Sequence, residues 1–124
     1  MNLLFLFLDG IGLGDDDSSI NPLTGTTLPT LRKLLGNREL TYKSAPYVGE
    51  IASLLAIDAS LSVKGLPQSA TGQAVILTGK NIPALIGYHY GPKPNPEIAQ
   101  FIKNGNLFCD LDKLNLQTGL LNAY

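Results

Sequence analysis

Two short stretches set reactive side chains at turns where the backbone can approach a ligand. The first is Leu8-Asp9-Gly10-Ile11-Gly12-Leu13-Gly14, an aspartate followed by alternating glycines. A carboxylate there offers hard oxygen to a metal ion, and glycines let the main chain come close to a metal or phosphate. Strand-Asp-Gly also serves as an ordinary turn. The second stretch is Pro67-Gln68-Ser69-Ala70-Thr71-Gly72-Gln73. A serine in the first turn of a helix has two readings. Its hydroxyl can cap the helix by accepting a backbone N–H. Alternatively it is a nucleophile, with the helix amides and dipole favouring an alkoxide and a bound phosphate. A serine hydroxyl needs a base or a metal to ionise near neutral pH. The only histidine, His89, falls in a proline-rich loop without a strong partner, so a Ser-His-Asp triad is poorly supported. Metal activation is the remaining route, with Asp9 as the evident ligand.

Other motifs fail on spacing. Gly10, Gly12 and Gly14 do not follow the G-x-G-x-x-G pattern of dinucleotide sites, and the run Gly72 to Lys80 makes no Walker loop. Asp15, Asp16 and Asp17 are contiguous, whereas a calcium loop spaces its ligands. Asp58 ends a presumed strand, where it is either a site residue or a loop carboxylate bonding nearby amides. Lys64, Thr71, Gln73 and Lys80 lie near the serine loop, where they either contact a phosphoryl group or form solvated surface. The lone cysteine, Cys109, reads as a small buried hydrophobe.

These loops need a scaffold. Leu3 to Leu8 is an apolar run with the composition of a strand buried on both faces. Thr27 can cap a helix over 28–35 that carries Leu28, Leu31, Leu34 and Leu35 on one stripe and stops at Gly36-Asn37. Residues 39–50 mix a short strand with loop, and Ser53 to Asp58 reads as a second buried strand. Ser69 to Thr78 reads as a helix closed by Gly79, and residues 80–96 read mostly as loop, with four of the eight prolines. Pro96 to Lys103 and Leu107 to Leu114 read as helices, and Leu120 to Tyr124 as the start of a strand. Strands alternating with helices imply an α/β fold, a mainly parallel central sheet flanked by helices, in a single domain over 1–124.

The residues of the two loops together resemble the alkaline phosphatase superfamily of metalloenzymes, and within it the branch of cofactor-independent phosphoglycerate mutase and phosphopentomutase. Leu8-Asp9-Gly10-Ile11-Gly12 matches the opening strand and glycine-rich turn of that branch. Asn21 and Leu28-Pro29-Thr30-Leu31 are similar to the loop and helix start that follow. Ser69-Ala70-Thr71-Gly72-Gln73 keeps the hydroxyl and glycine of the nucleophile loop, with Gln73 where the mutases have His. Gly65 to Gln73, followed by Leu77-Thr78-Gly79-Lys80-Asn81, looks like a bacterial group of metalloenzyme-domain proteins. The resemblance implies an alkaline-phosphatase-like sheet and a pair of divalent ions (zinc, manganese or magnesium). Asp9 would be a metal ligand, and Ser69 both ligand and nucleophile in a phosphoserine mechanism. Thr71, Gln73 and Lys64 would be substrate contacts, and the substrate a small phosphorylated molecule. It also implies later Asp and His ligands, including an Asp-His pair that is not found here, so the chain reads as the N-terminal part of a longer enzyme. Asp110 and Asp112 do not match that later segment. Alone, such a part would bind metal weakly, lack turnover and tend to self-associate or await its missing C-terminal segment. Two alternatives are hydrolysis of another ester (sulfate, phosphonate or phosphodiester) and a non-catalytic α/β module.

Composition narrows the partners. A hydrophobic fraction of 44% and a charged fraction of 15% over 124 residues suit a globular chain with a core. A formal net charge of −1 gives no electrostatic reason to expect nucleic acid or an anionic membrane. The apolar start has no basic residue before it and meets Asp9 at once, unlike a secretory leader, and one cysteine favours a reducing compartment. The expected location is the cytoplasm.

Overall fold

The computed structural model describes residues 2–121, which divide into two compact units, Met1–Ile57 and Asp58–Tyr124. In the first unit, α1 (Pro29–Leu34) starts with Leu28 at the N-cap position and no side-chain cap, so Thr27 does not take the expected role. The proline accounts for this. Its ring fixes a helical φ at the first position, where no N–H is needed. Gly36 and Asn37, at φ 60° and 65°, turn the chain out of the helix. Of the expected apolar stripe, Leu35 is buried and Leu31 is exposed.

Asn21 organises the polar loop ahead of α1. Its Nδ2 donates to the Asp15 carbonyl at 2.8 Å, and its Oδ1 accepts from the Leu23 amide at 3.1 Å. A Cβ on Gly14 would lie 2.9 Å from that Nδ2, so any side chain there would displace the Asn21 amide. Gly14 also forms an isolated parallel bridge with the buried Thr41, just before a 3-10 turn at Tyr42–Ser44.

The strands differ from expectation. β1 (Tyr47–Val48) and β2 (Ser53–Leu54) pair antiparallel, Tyr47 opposite Leu54 and Val48 opposite Ser53. The intervening turn is closed by the Gly49 amide on the Ala52 carbonyl at 2.9 Å. Ser53 to Asp58 was expected to be one buried strand. Only its first two residues pair, and Leu55 and Ile57 are exposed. Pairing across a short turn closes a small loop at little entropic cost, whereas a parallel partner needs a long crossover. Leu3 to Leu8 joins no ladder among the described residues and is exposed throughout, from 42% at Phe7 to 86% at Leu4. The chain thus mixes helices with a small antiparallel sheet, and no parallel central sheet forms among the described residues. Leu120 and Leu121 lie in no strand, and the rest of that expected element is outside the described residues.

The second unit is helical, and asparagine, proline and glycine punctuate it. α2 (Ser69–Thr78) ends at Gly79 in the left-handed region, φ 67°, with its amide on the Val75 carbonyl at 2.8 Å. α3 (Ile82–Ile86) is capped by Asn81, α4 (Pro96–Lys103) by Asn95 and α5 (Leu107–Lys113) by Asn106. In each case the asparagine Oδ1 accepts from amides two or three residues on. The core is small: Ala70 and Ala74 of α2 against Ile82 and Ile98, with Val75, Ile86, Tyr90, Phe101 and Ile102 packed around them. Small side chains on α2 let α3 and α4 approach it closely. Among the described residues no helix is long and apolar enough to cross a membrane.

Ile98 is fully buried at the centre of this core. Ile98→Ala is expected to destabilise the second unit by about 2–4 kcal/mol, measured as a lower denaturant midpoint. The exposed run Leu3 to Leu8 has neither charge nor proline and resembles a strand-pairing segment. Light scattering is expected to show concentration-dependent association that Leu6→Lys weakens. A monodisperse wild-type monomer would contradict this.

Candidate functional site

The start of α2 is where the serine loop meets an open cleft. A β-region backbone at Gln68, φ −127° and ψ 149°, puts Gln68 at the N-cap and Ser69 at the first helical position. Ser69 is therefore not the cap. Its half-buried hydroxyl has no hydrogen-bond partner among the described residues, and neither do the amides of Ser69 and Ala70. The next two amides are satisfied: Thr71 N–H donates to the Tyr90 carbonyl at 3.0 Å and Gly72 N–H to the Gln68 carbonyl at 2.9 Å. So the first turn of α2 carries an unpaired hydroxyl and two unpaired N–H groups at the positive end of a ten-residue helix, with Ala70 buried and Gly91 lying against the Ser69 nitrogen.

The cleft beside it has a volume of about 420 Å³ and is lined by Lys64, Gly65, Leu66, Gln68, Tyr88, His89, Tyr90 and Gly91. Gly91 runs against the helix start. A Cβ there would lie 3.1 Å from the Ser69 nitrogen and 3.2 Å from the Gln68 Cβ. The Tyr88 and Tyr90 rings meet edge to face at 6.1 Å. His89 lies with its Nε2 3.2 Å from the Val63 carbonyl, which ties the Tyr88–Gly91 segment to the loop bearing Lys64. This wall combines a cation, an imidazole, an amide and phenol rings, groups suited to an anionic ligand with an organic portion.

The sequence-derived candidates separate. Lys64 lines the cleft; Ser69 does not, but follows Gln68, which does. Gln73 is half-buried on α2 and Lys80 is exposed beyond the helix end, and neither lines the cleft. Thr71, expected as a substrate contact, is 0% exposed, and its hydroxyl bonds main-chain groups at Gln68 and Tyr90. Residue 71 lies two positions, about 200° around the helix, from residue 69, which puts it on the packed face. Asp9 sits in an exposed turn ahead of Gly10, φ 73°, in the first unit. Among the described residues no three His, Cys, Asp or Glu side chains group as a metal site. Cys109, expected to be buried, is exposed. Sequence reasoning missed Tyr88 and Tyr90. Their signal was Gly87-Tyr-His-Tyr-Gly91, aromatics around the only histidine between two glycines.

The acidic residues act locally. Asp58 accepts from the Ser60 hydroxyl at 2.6 Å, the Ser60 amide at 2.9 Å and the Ser62 amide at 3.3 Å, the loop-carboxylate reading. Asp17 does the same with Ser19, and Asp16 pairs with Lys43 at 3.7 Å. Comparison with known proteins finds no family model, curated protein or solved structure that matches the chain.

The Ser60 hydroxyl, then its amide, hold the Asp58 carboxyl below the ordinary carboxylate value. A depressed folded pKa stabilises the turn fully above the unfolded value and is lost as pH falls through the folded one. A carboxyl-carbon NMR titration is expected to place Asp58 below the ordinary carboxylate value. Ser60→Ala should move it up toward the ordinary range. An unmoved Asp58 in that variant would contradict the assignment.

Proposed function

We propose that this chain is part of a divalent-metal-dependent phosphoryl-transfer enzyme, a phosphatase or phosphomutase, in which Ser69 is the nucleophile. The observation that carries the reading is the Ser69 hydroxyl, without a partner among the described residues, at the first helical position directly after Gln68, which lines the cleft. The resemblance of its two loops to the alkaline phosphatase superfamily supports it. In the proposed step the Ser69 Oγ attacks phosphorus, the Oγ–P bond forms and the bond to the leaving oxygen breaks, while the serine proton departs to solvent. Water, or a hydroxyl of the product, then takes the phosphoryl group from the phosphoserine. The positive end of α2 favours the phosphoryl charge, and Lys64 with the cleft wall holds the organic portion.

On the resemblance, divalent ions would be held by ligands that include Asp9 and Ser69, and would lower the pKa of the serine hydroxyl. These two residues do not make a two-ion cage by themselves. The same reading carries a mainly parallel sheet with Leu3 to Leu8 as a strand, for which the all-apolar composition is the support. A cytoplasmic setting fits the single free cysteine.

The test is trapping. The intact gene product, incubated with p-nitrophenyl phosphate and Mn²⁺ or Zn²⁺ and quenched in acid, is expected to carry one phosphoryl group on the peptide containing Ser69. Ser69→Ala is expected to lose that adduct and to lower turnover by about 10³-fold or more. Turnover unchanged in the variant would remove Ser69 from the mechanism.

A further inference from the structure

Thr71 and Tyr90 make a main-chain clamp that no sequence motif announced. The Thr71 amide donates to the Tyr90 carbonyl at 3.0 Å, and the Tyr90 amide donates back to the Thr71 Oγ1 at 3.2 Å. The same hydroxyl has the Gln68 carbonyl at 3.1 Å and the Tyr90 carbonyl at 3.3 Å as acceptors for its single proton. Thr71 is fully buried, while Tyr90 and Gln68 both line the cleft. One side chain thus joins the first turn of α2 to Tyr90, another cleft-lining residue, 19 residues further along the chain. Gly91 completes the contact by lying against the Ser69 nitrogen, where no side chain would fit without a shift.

We propose that Thr71 is a positioning residue: its hydroxyl sets the distance between Ser69 and the Tyr88–Gly91 wall, so that nucleophile and cleft stay in register. The inference rests on the phosphoryl-transfer reading of Ser69. The hydroxyl is what matters, because valine has nearly the same shape but would leave the Tyr90 N–H without its acceptor. Serine keeps the oxygen and gives up a methyl group.

The experiment compares the wild-type chain with Thr71→Val and Thr71→Ser by amide NMR. It reads two things: hydrogen exchange at Tyr90 and along α4, and the response of the Ser69 and Ala70 amides to inorganic phosphate. In Thr71→Val, the Tyr90 amide is expected to exchange roughly ten-fold faster while α4 amides keep their rates. Phosphate is expected to shift the Ser69 and Ala70 amides of the wild type, several-fold more weakly in Thr71→Val, and with wild-type strength in Thr71→Ser. Exchange in Thr71→Val that quickens equally at Tyr90 and along α4 would make Thr71 a stability residue only and overturn the proposal. Unchanged phosphate binding in Thr71→Val would overturn it too, leaving the phosphoryl-transfer reading intact. If phosphate leaves those amides unmoved in the wild type, the phosphate site is lost, and with it both the reading of Ser69 and the positioning role.

Discussion

The second unit depends on how closely other elements can approach one face of α2. Ala70 and Ala74 present little side chain there, so Ile82 and Ile98 pack nearly against the helix backbone and become fully buried. Thr71, beside them, is equally buried, and its position in that packed face forces its hydroxyl to find partners inside the protein. The partners available are the carbonyl of Gln68 and the two main-chain groups of Tyr90. Apolar packing therefore fixes a polar contact, and that contact sets the edge of the cleft.

This ordering explains what was legible in the sequence. α2 and α4 have the bounds expected of them because their ends are decided locally. Asn95 and Pro96 start one, Gly79 closes the other, and a cap or a left-handed glycine needs no distant partner. The short α3 was hidden among prolines, yet Asn81-Ile82-Pro83 and Gly87 mark its ends by the same chemistry. Strands are another matter. Nothing in Ser53 to Asp58 states which segment it pairs with, and the four-residue turn at 49–52 settled the partner in favour of an antiparallel neighbour.

The candidate site was legible in part for a related reason. Ser69 was identifiable because a hydroxyl at the start of a helix with a glycine three residues on is a local pattern. The cap reading turned on a single backbone conformation, that of Gln68, which puts the cap position one residue before Ser69. The tyrosines of the cleft wall were not legible, because their placement follows from long-range contacts. His89 binds Val63, 26 residues away in sequence, and Tyr90 binds Thr71.

Helix position also separates the polar residues of the serine loop by role. A residue at the first helical position still has open amides around it and a side chain free of the core, whereas the residue two further on already belongs to the packed face. Ser69 and Thr71 carry the same functional group, so chemistry alone cannot tell them apart. Burial does: a hydroxyl with no exposure and main-chain partners on two sides is held in a fixed geometry and unavailable to a ligand, while a half-buried hydroxyl without partners keeps its lone pairs for one. The loop therefore holds two hydroxyls in different states, one in a half-buried residue and without a partner among the described residues, the other fully buried and fixed by main-chain groups.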